Sequence, residues 1–525
     1  MTRLRARRAL AAAGFVLVAV EALAAVSASS QTKVDPGPVP RATCGPGSHP
    51  ETGMQGRIPP TDIASGRADS GYDCNVSLVG LLKTGNAGWK VARYGTCAYF
   101  NGDPGGLPLG LTTTSVPGTY VADVSDPARP TVTDVLRTPA MSSPHESMAL
   151  DARRGLLMAT LANFFTAPGV LEIYDIKTDC RHPRLISTLP SAVLGHEGNL
   201  SSDGLTYYSG SLYAETLTAV DVSNPLAPLP LVVENIESHG MATNADGTRL
   251  YDTYAEYSGD GGGLIIYDAT RVQNREPNAG LELISRLSWP ERSTPQFVVP
   301  ITVKGRPYLL ETDEFGGEDS GTKRPVGAAR IIDISNEKAP VVVSNIRLEV
   351  HMPEAQARFA ADGDVVPLYG GPYTGHYCSV PTQVDPGIVA CSMLRSGLRI
   401  FDIRDPRKPK EIAYYNPPAA HDLADTSGGS ARLHIGANVE FVPERGEIWV
   451  AVQDSGLHVI RLTNGVWPFT GAPPRPALRE PRPLPATGTP VASRVAAGLA
   501  LLVAGGVMVE ASRRPGRTSD DAAGA

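Results

Sequence analysis

Histidine recurs in this chain at a spacing that can support metal chemistry. His145-Glu146-Ser147-Met148, His196-Glu197-Gly198-Asn199 and His239-Gly240-Met241-Ala242 each stand several residues ahead of an Asp-Ala or Asp-Gly turn. His376-Tyr377-Cys378 and His434-Ile435-Gly436 take similar places further on, and Gln296 fills the slot between His239 and His376. Neutral imidazole is the commonest side-chain ligand for transition metals, and a set rich in His and poor in carboxylate suits Zn, Cu, Fe or Ni. The candidate metal ligands are therefore His145, His196, His239, His376 and His434, with Glu146 and Glu197 beside them and Cu or Zn as the candidate ion. A structural reading competes. Duplication of a repeat copies its struts as faithfully as its ligands, and a His bonded to a neighbouring backbone would recur in the same way.

Other catalytic signals are missing. The chain has no G-x-S-x-G, no H-E-x-x-H and no Gly-rich phosphate loop ending in Lys; His196-Glu197 runs on into Gly-Asn-Leu, so the zinc-protease spacing fails. Two acidic stretches, Glu311 to Asp319 and Ser258 to Gly263, carry oxygen ligands but lack the alternation of a calcium loop, and read as solvated turn acids. No catalytic residue is assigned. With a formal net charge of −7 and scattered Lys and Arg, the chain has no clustered basic face, which argues against nucleic acid as a partner.

The elements that position these histidines are written as a repeat. Each copy is a short apolar strand, an Asp, one further apolar residue and a polar turn, often closed by Pro. The copies centre on Asp123, Asp175, Asp221, Asp268, Asp333 and Asp402, and a seventh, around Arg461, has lost the Asp. Spacings between successive copies are 52, 46, 47, 65, 69 and 59 residues. That period with strand-turn-strand content points to β-propeller blades. Gly and Pro make up roughly 19% of the chain, above the usual ~12%, and their spread between short strands means many turns. The D-[IV]-S-[DN]-P units also resemble the LVIVD-repeat proteins, a propeller family of bacterial surface and secreted proteins; the resemblance covers roughly residues 75–464 and implies the fold while naming no activity. In architecture, a His-lined channel is similar to that of the copper-dependent methanethiol oxidases.

The expected fold is all-β, a seven-bladed propeller with six to eight as the range. Asn75 to Leu82 matches the outermost strand of later blades but precedes any complete blade, while the last repeat lacks an outer strand. Closure of the ring by the early strand removes exposed sheet edges. The first strand of each blade lines the channel, so the histidines are expected to converge on one axis. Cys378 and Cys391 flank the turn Gln383 to Gly387 and are the candidate disulfide among six cysteines.

The termini speak of export. Residues 1–28 read as a signal peptide: Arg3, Arg5, Arg7 and Arg8, an apolar run Ala9 to Ala25, then small residues before Ser29. Residues 29–74 read as an extended lead-in, 75–464 as the propeller, 465–490 as a Pro-rich linker, 491–510 as an apolar membrane or sorting segment and 511–525 as a cytoplasmic tail. Leu484-Pro485-Ala486-Thr487-Gly488, the apolar run Val495 to Val509 and Arg513, Arg514 and Arg517 resemble a sortase sorting signal. That resemblance implies processing at Leu484, Pro485, Thr487 and Gly488, with sortase and peptidoglycan as partners and membrane contact before processing. A plain C-terminal membrane anchor is the alternative, and both put the propeller outside the cell, wall- or surface-anchored in the Gram-positive manner. The expected function is recognition or scaffolding, with an extracellular ligand at one mouth of the channel. The rival is an extracytoplasmic His-ligated metalloenzyme, oxidoreductase-like, with its site in that channel.

Overall fold

The computed structural model describes Val34 and residues 37–467, apart from 86, 103–117, 162–168, 191–194, 212–214, 255–261, 290, 292, 317–326, 356–357, 359–372, 419–434 and 454. His434, the leader, the sorting motif at Leu484, Pro485, Thr487 and Gly488, and the apolar segment 491–510 lie outside the described residues. Among those described, no helix is long and apolar enough to cross a membrane.

Seven antiparallel sheets follow one another along the chain. Blade 1 begins at Val91–Tyr94, blade 2 at Ala149–Asp151, blade 3 at Glu197–Leu200 and blade 4 at Met241–Thr243. Blade 5 begins at Ser293–Val303, blade 6 at Tyr377–Ser379 and blade 7 at Val439–Val442. Blade 7 contributes only three strands of its own, and Val76–Lys83 from the N-terminal side pairs with Gly456–Leu462 as its outer strand. The ring is closed as expected.

The repeated residues explain why the blades stack. Successive side chains on a strand point to opposite faces, and both faces of a blade meet a neighbour. Ile331 packs with Val389 and Phe401 of blade 6, whereas the next residue, Ile332, packs with Leu264 and Ile266 of blade 4. Ile400 and Phe401 divide in the same way between blade 7 and blade 5. Each such side chain, fully buried, contributes about 1.5–3 kcal/mol. The Asp that follows makes an Asx turn, its Oδ1 accepting the N–H two residues on, as at Asp123, Asp221, Asp333 and Asp402. Next to the apolar pair, every outer strand carries one extra residue, seen at Thr133, Leu231, Ile284, Val343 and Ile412 and likewise in blades 2 and 7. Such a bulge raises local twist and bends the outer strand. The displaced strand then reaches the next blade's turn: the hydroxyls of Ser187 and Ser344 donate to the carbonyls of Pro225 and Pro406, both at 2.7 Å.

The lead-in is more structured than its composition suggests. It forms a short helix, Pro60–Ala64, a 3₁₀ turn, Arg67–Ser70, and a strand, Tyr72–Cys74, that adds a fifth member to blade 6 beside Lys410–Asn416. Gly71 allows the approach, with φ of 68° and a position where a Cβ would lie 2.6 Å from the Asn416 carbonyl oxygen. The lead-in also supplies Glu51 to the buried Arg399 of blade 6. Arg399 donates to Glu51, to Glu411 at 3.0 Å and to the Ser396 carbonyl at 2.7 Å, and lies over the Tyr414 ring. Cys44–Cys74 staples this segment, Cys97–Cys180 joins blades 1 and 2, and Cys378–Cys391 bridges directly opposed residues of two adjacent strands in blade 6.

Candidate functional site

The channel histidines meet around one carboxylate. Glu146, at the entry of the innermost strand of blade 2, is buried and sits at the centre. His196 of blade 3 places Nε2 2.9 Å from Glu146 Oε2, and His376 of blade 6 places Nε2 3.0 Å from Glu146 Oε1. His239 of blade 4 points Nε2 at the same carboxylate from 3.9 Å. His145 closes the set, its ring 4.6 Å from that of His196, on a backbone held at a φ of 46° that non-Gly residues seldom adopt. Four of the five expected histidines therefore come together, from four blades, and the fifth, His434, lies outside the described residues.

Two of these rings have a fixed tautomer. His239 Nδ1 lies 2.8 Å from the Pro295 carbonyl oxygen, and His376 Nδ1 lies 2.6 Å from that of Gly436. A carbonyl only accepts, so Nδ1 carries the proton in each. In the neutral ring Nε2 is then a bare lone pair aimed into the cluster, the orientation that a metal ligand needs. The strut and the candidate ligand coincide in each ring: one nitrogen ties adjacent blades and the other faces the cluster. Gly436 makes room for this, since a Cβ there would stand 2.0 Å from the Trp89 ring, which packs against His376 at 4.5 Å.

Sequence reasoning missed Glu314. The stretch from Glu311 reads as a solvated acidic turn, but Arg306–Gly316 is a strand. Blade 5 has an inner hairpin of 11 residues in each strand, against three to six elsewhere, and Glu314 stands on the extension. Its carboxylate approaches His376 Nε2 at 3.3 Å and His239 Nε2 at 3.7 Å. Two other acids of that stretch, Glu311 and Asp313, are buried against Arg330 of the same blade. A strand alternation of Glu311, Asp313 and the apolar residues before them was the available signal, masked by the Gly-Gly that follows.

Glu197 turns away from the histidines. Lys90 Nζ, from blade 1, lies 2.7 Å from Glu197 Oε1 and over the rings of Tyr377 and Phe297 at 4.3 and 4.7 Å. Tyr377 donates its hydroxyl to the other oxygen of Glu197. Gln296 links the two halves, its amide nitrogen 2.9 Å from Glu146 Oε2 and 3.1 Å from the Tyr377 hydroxyl. Lys90 and Trp89 occupy the blade-start position of blade 1, where a search for histidine passes over them.

Charge in the cluster is finely divided. Burial holds His145 and His239 down to about 3, so both are neutral near pH 7. Burial also opposes charge on His376, but its bond to Glu146 and the nearby Glu314 push it up to about 10. Burial works against ionisation of Glu146 as well, yet His145 and His196 hold it well below the usual carboxylate range. Glu314 is raised, chiefly by burial, and Glu197 is raised to about 7 by burial, with Lys90 opposing. Near pH 7 the result is an ionised Glu146 beside a charged His376, with His145 and His239 presenting neutral rings. Two ligand groups of metal-binding geometry follow: His145, Glu146 and His196, and Glu146, Glu314 and His376.

No family model matches the chain, so its likeness to LVIVD repeats rests on the repeated residues alone. No curated protein is similar to it in sequence. Solved structures are similar in fold. Kuenenia stuttgartiensis hydrazine synthase is 11% identical, with a TM-score of 0.47, over 73% of this chain and 97% of that one. The β-propeller domain of Myceliophteria thermophila Cps50 (Swd1) is 12% identical, with a TM-score of 0.46, over 73% and 98%. The periplasmic gluconolactonase of Pseudomonas aeruginosa is 13% identical, with a TM-score of 0.42, over 67% and 97%. These likenesses concern the fold alone.

Proposed function

We propose that this chain is an exported, surface-displayed propeller that holds a transition metal in its channel and works as an extracytoplasmic metalloprotein, with metal-dependent catalysis as its activity. One observation carries the reading. His239 and His376 spend Nδ1 on a backbone carbonyl and aim Nε2 at Glu146 and Glu314. Buried carboxylates facing imidazole nitrogens cost several kcal/mol unless a proton or a metal cation lies between them, and without metal His376 carries that proton. A Zn²⁺- or Cu²⁺-type ion would be held by Glu146, Glu314 and His376, with His239 beside them, and His-rich sites of this kind select such ions. Beside it, Lys90, Tyr377 and Glu197 form a hydrogen-bonded, proton-carrying set.

Export is supported by three disulfides, which persist in oxidising compartments, together with the leader and the sortase-like residues Leu484 to Gly488. Elemental analysis of the full chain, purified without chelator or His tag, tests the reading. A stoichiometric transition metal is expected. A folded chain that takes up none leaves recognition or scaffolding, with an extracellular ligand at the channel mouth, as the function.

A further inference from the structure

The two ligand groups in the channel share a single residue, Glu146. Its two oxygens face different partners: Oε2 meets His196 at 2.9 Å and Oε1 meets His376 at 3.0 Å. Two ligands at about 2.1 Å from one ion and at right angles to each other lie about 3.0 Å apart. Each oxygen therefore makes a ligand pair with the histidine it faces, and the two groups share only the Glu146 carboxylate. His145 adds to the first side, and Glu314 adds to the second at 3.3 Å from His376 Nε2. Gln296 donates to Oε2 at 2.9 Å and fixes the rotation of the carboxylate.

We propose that the channel holds two divalent transition-metal ions bridged by the Glu146 carboxylate, one on the His145–His196 side and one on the His376–Glu314 side. The inference rests on the metal reading above and deepens it. Paired ions about 3.5–4 Å apart clamp the attacking and leaving oxygens of a displacement and activate a bridging water. Charge points to the substrate class. Two carboxylates and neutral imidazoles around two dications leave a net positive centre, which takes hydroxide and an anionic substrate such as a carboxylate or phosphate ester.

The test strips the full chain with chelator, equilibrates it separately with Zn²⁺, Mn²⁺ and Cu²⁺, removes free ion and counts metal per chain. Two ions are expected for the wild type and one each for His196→Ala and Glu314→Gln, with folding checked by near-ultraviolet circular dichroism. On wild-type protein alone, an exchange-coupled Cu²⁺ pair in electron paramagnetic resonance is expected, which removes dependence on variants that fail to fold. One ion per chain with an isolated Cu²⁺ signal overturns the bridged pair and leaves the single-metal reading standing. No ion from any of the three on a folded chain overturns that reading as well.

Discussion

Two buried polar clusters in this propeller are built to opposite rules. Around Arg399 of blade 6, each side-chain hydrogen bond joins a donor to an acceptor: the guanidinium to Glu51, Glu411 and the Ser396 carbonyl, and Glu411 in turn to the Ala42 amide at 3.1 Å and the Gln55 amide at 3.0 Å. Around Glu146 in the channel, Nε2 of His376 is shared between two carboxylates and Nε2 of the neutral His239 faces the same pair. The first cluster is complete in itself and holds the lead-in onto the ring. On the proposed reading, a metal cation completes the second. Burial and charge count alone do not distinguish them; the direction of each lone pair does.

The largest test of the contrast removes the central cation of the closed cluster. Arg399→Met leaves Glu51 and Glu411 buried without it and is expected to cost about 3–5 kcal/mol in denaturant unfolding, with metal content unchanged. Replacing Cys44 and Cys74 together by Ser frees the 30-residue loop that carries Glu51, and is expected to cost about 3–4 kcal/mol. For the channel the lever is the ligand. Chelation is expected to lower stability by about 3 kcal/mol, as for a site held near a hundredfold excess over its dissociation constant, and restoring metal is expected to reverse it.

Acid sharpens the contrast further. Burial keeps two histidines outside the channel neutral in the fold, His458 down to about 4 and His351 down to about 3, against 6.5 as the ordinary value. The unfolded chain therefore binds more protons between those values, so stability is full above pH 6.5 and falls as pH drops toward 4. A loss of about 1–3 kcal/mol is expected across that window for His458, which bonds Tyr415 and Ser455. His458→Gln should flatten the slope of unfolding free energy against pH. The smallest effect belongs to the surface: Arg404, 66% exposed beside Asp402, is expected to cost under about 0.5 kcal/mol when changed to Ala.

Much of the ring was legible because its code is local and repeated. Two apolar residues before an Asp address two neighbouring blades, and the unpaired strand at Asn75 to Leu82 announced the closure. Four channel histidines and Gln296 were legible for the same reason, since a slot copied from blade to blade reveals its exceptions. What stayed hidden was written once. Glu314 depends on a hairpin extension found, among the described residues, only in blade 5, and Tyr72–Cys74 is three residues whose pairing with Tyr414 to Asn416 spans most of the chain. The outer-strand bulge recurs, but it is a property of register between strands, which residue types do not display.

The most direct test of the channel account is anomalous diffraction at the zinc edge from crystals of the zinc-equilibrated chain. The account predicts anomalous density about 2.0–2.2 Å from His196 Nε2 and Glu146 on one side and from His376 Nε2 on the other. A channel free of anomalous density, with His376 Nε2 still bonded directly to Glu146 and Glu314, would contradict it and make the cluster a proton-closed strut between blades.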